Sequence, residues 1–228
     1  MVSVALIGPD GAGKSTITDR LEHEPLPAPV KRIYMGVNLQ AGGLMLPTTR
    51  LALAIKTARG RRPDMVAPFD QATPTTGGAA RRAAKGSARV ARLFMWLAEE
   101  WFRQLIAQYH LRRGSIVVFD RHFFADYFHQ DEAGSGRRPV TARVHGYLLR
   151  NVYPKPDLVI CLDAPGRVLF DRKHEASAEW LERRRGQYLQ LATEVPHFVV
   201  VDADRPLDAV TRDVVTAISE FLEKRGRL

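Results

Sequence analysis

Residues 8–15 read Gly8-Pro9-Asp10-Gly11-Ala12-Gly13-Lys14-Ser15, with an apolar run, Val2 to Ile7, before them and Ile17 and Leu21 at helical spacing after them. No other segment constrains the chain as much. A Gly-x4-Gly-Lys-Ser pattern between a strand and a helix makes a turn whose backbone N–H groups point at phosphate oxygens, while the helix N-terminus adds partial positive charge. In that setting Lys14 reaches the β- and γ-phosphates of a nucleoside triphosphate, and the Ser15 hydroxyl ligates Mg²⁺. Gly8, Asp10, Gly11, Ala12, Gly13, Lys14, Ser15 and Thr16 are therefore the expected ATP-binding residues, with Thr16 at the α-phosphate. The competing reading is an ordinary glycine-rich turn.

Four more short strands are expected. Lys31–Met35 follows a linker with Pro25, Pro27 and Pro29; Ser115–Phe119, Leu158–Leu162 and Phe198–Val201 are continuous apolar runs. Such runs, separated by helical patterns, predict a parallel sheet covered on both faces. Asp120, Asp163 and Asp202 stand at the carboxyl ends of three of them, the edge where open α/β sheets bind ligands. The longest helix is expected over Ser87–Arg112, with Leu93, Phe94, Leu97, Trp101, Phe102, Leu105 and Tyr109 as its apolar face. Helices are also expected over Val140–Arg150, Ala178–Leu191 and Leu207–Leu222.

A chain of 228 residues with ordinary composition is most simply one α/β domain. Its only cysteine, Cys161, lies in an apolar run and reads as a small buried hydrophobe. With no disulfide possible within the chain, a reducing cytoplasmic setting is expected. No stretch is long and apolar enough for a membrane span, and the first residues lack the basic start of a signal peptide. The net charge of +9 is concentrated: between Lys56 and Arg92 nine Lys/Arg face only Asp64 and Asp70. Residues 56–88 hold several glycines and prolines and read as a basic insertion, either a flap over an anionic ligand or a solvated excursion. The balanced charge elsewhere, and the lack of aromatic residues in this segment, argue against nucleic acid as a partner. An NTP-dependent nucleic-acid-binding switch is nonetheless the alternative to an enzyme.

Asp120-Arg121-His122 follows an apolar strand directly. A carboxylate there can hold Mg²⁺ through water or orient an acceptor hydroxyl, and the adjacent arginine can neutralise a phosphoryl group. A strand-end ion pair is the plainer reading. Phe123, Phe124, Tyr127 and Phe128 either pack the following helix or wall an acceptor pocket, with Tyr127 the candidate contact. His122, His129 and His174 lack metal-ligand spacing.

These residues resemble the thymidylate kinase branch of the nucleoside-monophosphate kinases. The resemblance is carried by Gly8–Thr16, Phe119–His122, Leu162–Pro165 and the basic run from Arg172 to Arg185 ending at Tyr188-Leu189. It implies a P-loop NTPase fold of three layers, with five parallel strands ordered 2-3-1-4-5. It implies ATP and Mg²⁺, the latter at Ser15 and Asp120. Asp10 would contact an acceptor-sugar hydroxyl, and Asp120 and Arg121 would sit between donor and acceptor phosphates. A lid, here 165–186, would bring Arg172 over ATP. A homodimer packed through helices is also implied, with exposed-looking Trp96 in keeping.

The departures bear on the acceptor. Where the family has Arg-Glu-Pro-Gly after its second strand, this chain has Met35-Gly36-Val37-Asn38. The family's acceptor-phosphate arginine falls at Glu99, which the helical wheel places on the polar side within reach of Arg103 as a surface ion pair. Glu100 borders the apolar face and is the inward candidate for the acceptor. The lid is shorter, and Arg183 to Arg185 read either as lid cations or as a solvated helix face. The expected activity is ATP-dependent phosphorylation with Lys14, Asp120, Arg121 and Arg172 as catalytic residues. A nucleoside monophosphate, dTMP first, is the expected acceptor; a nucleoside, sugar, sugar phosphate or other metabolite is the alternative.

Overall fold

The three most apolar strands lie side by side at the middle of the sheet, where only hydrocarbon can face a helix on both sides. In the computed structural model, which describes residues 1–35, 43–58, 60, 79–122, 125, 140–174 and 176–226, β1 (Ser3–Ile7) is flanked by β3 (Ile116–Asp120) and β4 (Leu158–Asp163). The edges are β2 (Val30–Tyr34) and β5 (Phe198–Asp202). All four pairings are parallel and the order is β2-β3-β1-β4-β5. This is the P-loop NTPase arrangement expected. Each strand extends through its final residue beyond the apolar run, so Asp120, Asp163 and Asp202 are last in their strands.

Strand alternation divides the core in two. Val4, Leu6, Ile116 and Val118 face one side and pack with Ile17 and Leu21 of α1 (Lys14–Leu21) and Val214 and Ile218 of α7 (Leu207–Lys224). Ala5, Ile7, Val117 and Phe119 face the other and pack with Trp96 and Ala107 of α3 (Ala79–Arg112) and Tyr188 of α6 (Ala178–Gln190). The remaining described helices are α2 (Pro47–Ala58), α4 (Val140–Asn151) and α5 (Gly166–Arg172). Cys161 is buried in the second core and burial pushes its thiol up to about 12. None of the described helices is long and apolar enough to cross a membrane.

Two sequence expectations are corrected here. The long helix begins at Ala79 rather than Ser87. Ala79-Ala80-Arg81-Arg82-Ala83-Ala84-Lys85 is strong helix-forming sequence, and the single Gly86 costs only about 1 kcal/mol within it. Helix α2 covers Lys56 to Ala58, also assigned to the insertion; residues 59 and 61–78 lie outside the described residues. Secondly, Trp96 is buried, and Glu99 and Arg103 are a fully buried pair of positions, not a surface ion pair. The α2 segment, unread in the sequence, covers that face: Leu46 N–H donates to Glu99 Oε1 at 2.9 Å.

At the opposite, amino end of the sheet, Asp157 accepts from both the backbone N–H (2.9 Å) and the hydroxyl (2.8 Å) of Ser3, and pairs with Arg225 at 2.6 Å. These ties join the start of β1, the entry to β4 and the end of α7. Burial tends to raise the Asp157 carboxyl, but the Ser3 hydrogen bonds and Arg225 outweigh it and hold it below its ordinary value. Its stabilising contribution is therefore complete above pH ~4 and is lost as pH falls through the lowered folded value. Asp157→Asn should cost about 1–2 kcal/mol at pH 7. In urea titrations the gap from the unaltered protein should narrow as pH drops below ~4; a constant gap would contradict this.

Candidate active site

Strand β1 runs out at Ile7 and the chain wraps directly into the glycine-rich loop. Gly8 has φ +140°, and Gly11 and Gly13 each have φ +87°, conformations that side chains rarely adopt. Space adds a second constraint: a Cβ on Gly8 would lie 2.5 Å from the Leu162 carbonyl oxygen, and one on Gly11 2.8 Å from that of Leu169. The loop thus packs backbone to backbone against β4 and α5. Gly13 caps α1, whose first residues are Lys14 and Ser15. Lys14 is buried, and its Nζ donates to the carbonyls of Gly8 (2.8 Å) and Pro9 (2.7 Å), which folds the side chain back along the loop.

Asp120 ends β3 beside Leu6 of β1, two residues before Gly8 begins the loop. Arg121 follows with φ +68°, the one described non-glycine residue at positive φ. Such backbone costs about 1–3 kcal/mol and persists only where surroundings hold it. Here Arg121 N–H donates to the Leu6 carbonyl at 3.2 Å and its Nη2 to Asp10 Oδ1 at 2.5 Å. Burial acts to raise the Asp10 carboxyl, but the charges of Arg121, Lys14 and Lys173 leave it lowered, so it is ionised at neutral pH. His122 is buried edge-on against Phe119, and burial alone lowers its imidazole to about 3, so it brings no positive charge.

Asp120 is completely buried. Its Oδ2 accepts from Arg32 Nη2 at 2.7 Å, and its Oδ1 accepts no hydrogen bond. A buried carboxylate oxygen left without a donor costs about 1–3 kcal/mol or more. Such an oxygen, with the exposed Ser15 hydroxyl on the first turn of α1, fits Mg²⁺, which takes oxygen ligands, keeps several waters and needs only one or two carboxylates. No cluster of three His, Cys, Asp or Glu that could hold a metal occurs among the described residues. Arg32 was not singled out in the sequence; its signal is a cation in the middle of a short strand, where alternation faces it toward α1.

On the other side of the loop a cavity of about 290 Å³ is lined by Gly11, Gly13, Thr16, Arg172, Ala203 and Leu207, among others. Arg172 donates to the Ala203 carbonyl at 2.9 Å and lies 3.7 Å from Asp204. It joins the outer wall of the loop rather than the Asp10–Arg121–Asp120 group. Of the arginines expected to belong to a lid, Arg185 grips Asp163 at 2.6 and 2.9 Å and Glu182 at 2.7 Å, while Glu182 accepts from the Gly166 N–H at 2.7 Å. Arg184 lies over the Tyr188 ring. Glu100 is engaged elsewhere: Trp96 Nε1 (2.9 Å), His145 Nε2 (3.1 Å) and Tyr153 Oη (2.7 Å) surround its carboxylate, joining α3 to α4 and the segment after it. That is a core hydrogen-bonding hub, and it gives Glu100 a structural task in place of the acceptor contact expected. Tyr127 lies outside the described residues, as do Phe123, Phe124 and Phe128.

No family model matches the chain. Over 119 residues, 49% of its length, it is 31% identical to a protein described as a probable thymidylate kinase from Archaeoglobus fulgidus, covering 57% of that protein. Over 123 residues, 50% of its length, it is 32% identical to a thymidylate kinase from Alteromonas mediterranea, covering 54% of it. Over these stretches the chain is similar to thymidylate kinases. It spans about half the length of the curated relatives it matches.

The two constraints on the loop glycines can be separated. Gly13 has nothing within 4 Å of a built Cβ, so Gly13→Ala meets only the backbone penalty, about 1–2 kcal/mol. Gly8→Ala adds collision with Leu162. Chemical denaturation should therefore show a clearly larger loss for Gly8→Ala, and equal losses would contradict the close-packing account.

Proposed function

We propose that the chain is an ATP- and Mg²⁺-dependent phosphotransferase that passes the γ-phosphoryl group of ATP to a small acceptor, with a nucleoside monophosphate, dTMP first, as the leading class. The observation that carries this is the meeting, at one sheet edge, of the Gly8–Ser15 loop with Lys14 and of the Asp120-Arg121 pair reaching back to Asp10. Relatedness to thymidylate kinases supports the same reading.

In the proposed mechanism the loop amides and Lys14 hold the β- and γ-phosphates. Lys14 exchanges its two carbonyl partners for phosphate oxygens, a stronger, charge-assisted pairing. Ser15 and Asp120 Oδ1 hold Mg²⁺, which when bound neutralises charge on the β- and γ-oxygens. The cavity beside Thr16, with apolar Ala203, Leu207 and Val210 and the Arg172 guanidinium, suits the flat adenine and its ribose. Arg172 then serves the donor's base side, and Arg121 is assigned to neutralising the transferring phosphoryl group. As the acceptor oxygen bonds to the γ-phosphorus, the bond from that phosphorus to the β–γ bridging oxygen breaks and ADP leaves. Catalysis of this kind is positioning and electrostatics. In this reading Arg121 and Asp10, already in contact, serve the acceptor side.

A second acceptor class is favoured by one observation. Glu99, at the place of the family's phosphate-binding arginine, is fully buried, with Oε1 held by Leu46 N–H and Oε2 accepting no hydrogen bond. A carboxyl group there supplies hydrogen-bond acceptors in place of an arginine's donors, which suits the hydroxyls of a nucleoside or sugar. ADP release should be measured with Mg²⁺·ATP against nucleoside monophosphates, nucleosides, sugars and sugar phosphates. Turnover with dTMP supports the first class, turnover only with unphosphorylated acceptors the second, and ADP release that requires DNA or RNA would overturn both. Lys14→Ala should lower turnover about 100-fold or more with an unchanged circular-dichroism spectrum; retained activity would overturn the assignment.

A further inference from the structure

Arg32 sits where no phosphate-binding pattern would place a cation. It lies on the edge strand β2, opposite Val118 and two residues before Tyr34, whose partner is Asp120. Val30 packs on the α1 side of the sheet and Ile33 on the other, so alternation sends Arg32 to the α1 side, the same side as Ile116, Val118 and Asp120. There its guanidinium holds two carboxylates: Asp120 at the end of β3, and Asp19 on α1. Asp19 is four residues after Ser15, one helical turn along the same face. One side chain therefore ties the helix turn that carries Ser15 to the strand end that carries Asp120.

We propose that Arg32 is the positioning residue for the metal-binding pair. The inference rests on the reading of the loop as a Mg²⁺–nucleotide site. Its fork occupies Asp120 Oδ2 and leaves Oδ1, buried and accepting no hydrogen bond, as the carboxylate oxygen for the metal. Through Asp19 it also sets the separation of that oxygen from Ser15. An exposed ion pair does little, but the Asp120 arm is different because Asp120 is fully buried while Arg32 is only partly exposed. A guanidinium can span two carboxylates in fixed directions; an ammonium is a point charge and cannot reproduce the span. Groups that orient a metal's ligands typically matter about 10–100-fold for metal affinity.

The test separates metal binding from nucleotide binding and needs no turnover. Mn²⁺ replaces Mg²⁺, and its binding with ADP is followed by electron paramagnetic resonance; ADP affinity in EDTA is measured by calorimetry. Arg32→Met should weaken Mn²⁺·ADP binding about 10-fold or more while metal-free ADP affinity stays within about twofold of the unaltered chain. Arg32→Lys should recover part of the loss, and Asp19→Asn, which removes only the helix tether, should show a smaller selective loss if Arg32→Met does not fold. Equal losses with and without metal, or no loss in the folded variants, would overturn the assignment. Failure of the unaltered chain to bind Mn²⁺·ADP would instead overturn the nucleotide reading beneath it.

Discussion

The absence of side chains at Gly8 and Gly11 is the constraint on which the rest of the site depends. With Leu162 and Leu169 carbonyls standing where Cβ atoms would lie, the loop closes against β4 and α5 with nothing between. That closure starts α1 at Lys14 directly after β1 and brings the loop's Gly8 and Pro9 carbonyls within reach of the Lys14 ammonium. A looser wrap would move the helix N-terminus away from the strand ends that carry Asp120 and Asp163.

Around this loop four arginines are each matched to an anion or carbonyl. Arg121 lies on Asp10, Arg32 on Asp120 and Asp19, Arg185 on Asp163, and Arg172 on the Ala203 carbonyl. Groups held this way lose little freedom when a phosphate binds, and so little of the binding energy is spent on ordering them. The positive φ of Arg121 belongs to the same logic: the strained turn is kept because it aims the side chain at the loop. The Arg185–Glu182–Gly166 contacts likewise fasten α5 and α6 to the end of β4.

The parts of the fold that were legible in the sequence follow one-dimensional rules. Strands buried on both faces must be apolar throughout, so β1, β3 and β4 announced themselves, and the glycine pattern located the loop. The start of α3 was misplaced because breaker residues were weighed above the alanine-rich run 79–85. Glu99, Glu100 and Arg103 were misjudged for another reason. A helical wheel assumes one buried face, and α3 is covered on further sides by the segment before α2 and by α4, which give Glu99 and Glu100 hydrogen-bond partners from distant sequence. Arg32 escaped notice because its meaning lies in Asp19 and Asp120, remote along the chain.

By itself, then, the sequence determined the glycine-rich loop, the parallel sheet and the order of its carboxylates, because glycine tolerance, strand alternation and hydrophobic burial act locally and leave regular traces. Only the tertiary structure decided which charges meet. It set Arg121 on Asp10 and Arg32 on Asp120, turned Glu100 into a core hub and took Arg172 to the outer wall of the loop. Charge pairing depends on distances of a few ångströms between residues far apart in the chain, 111 positions for Arg121 and Asp10, and no periodicity along a chain encodes that.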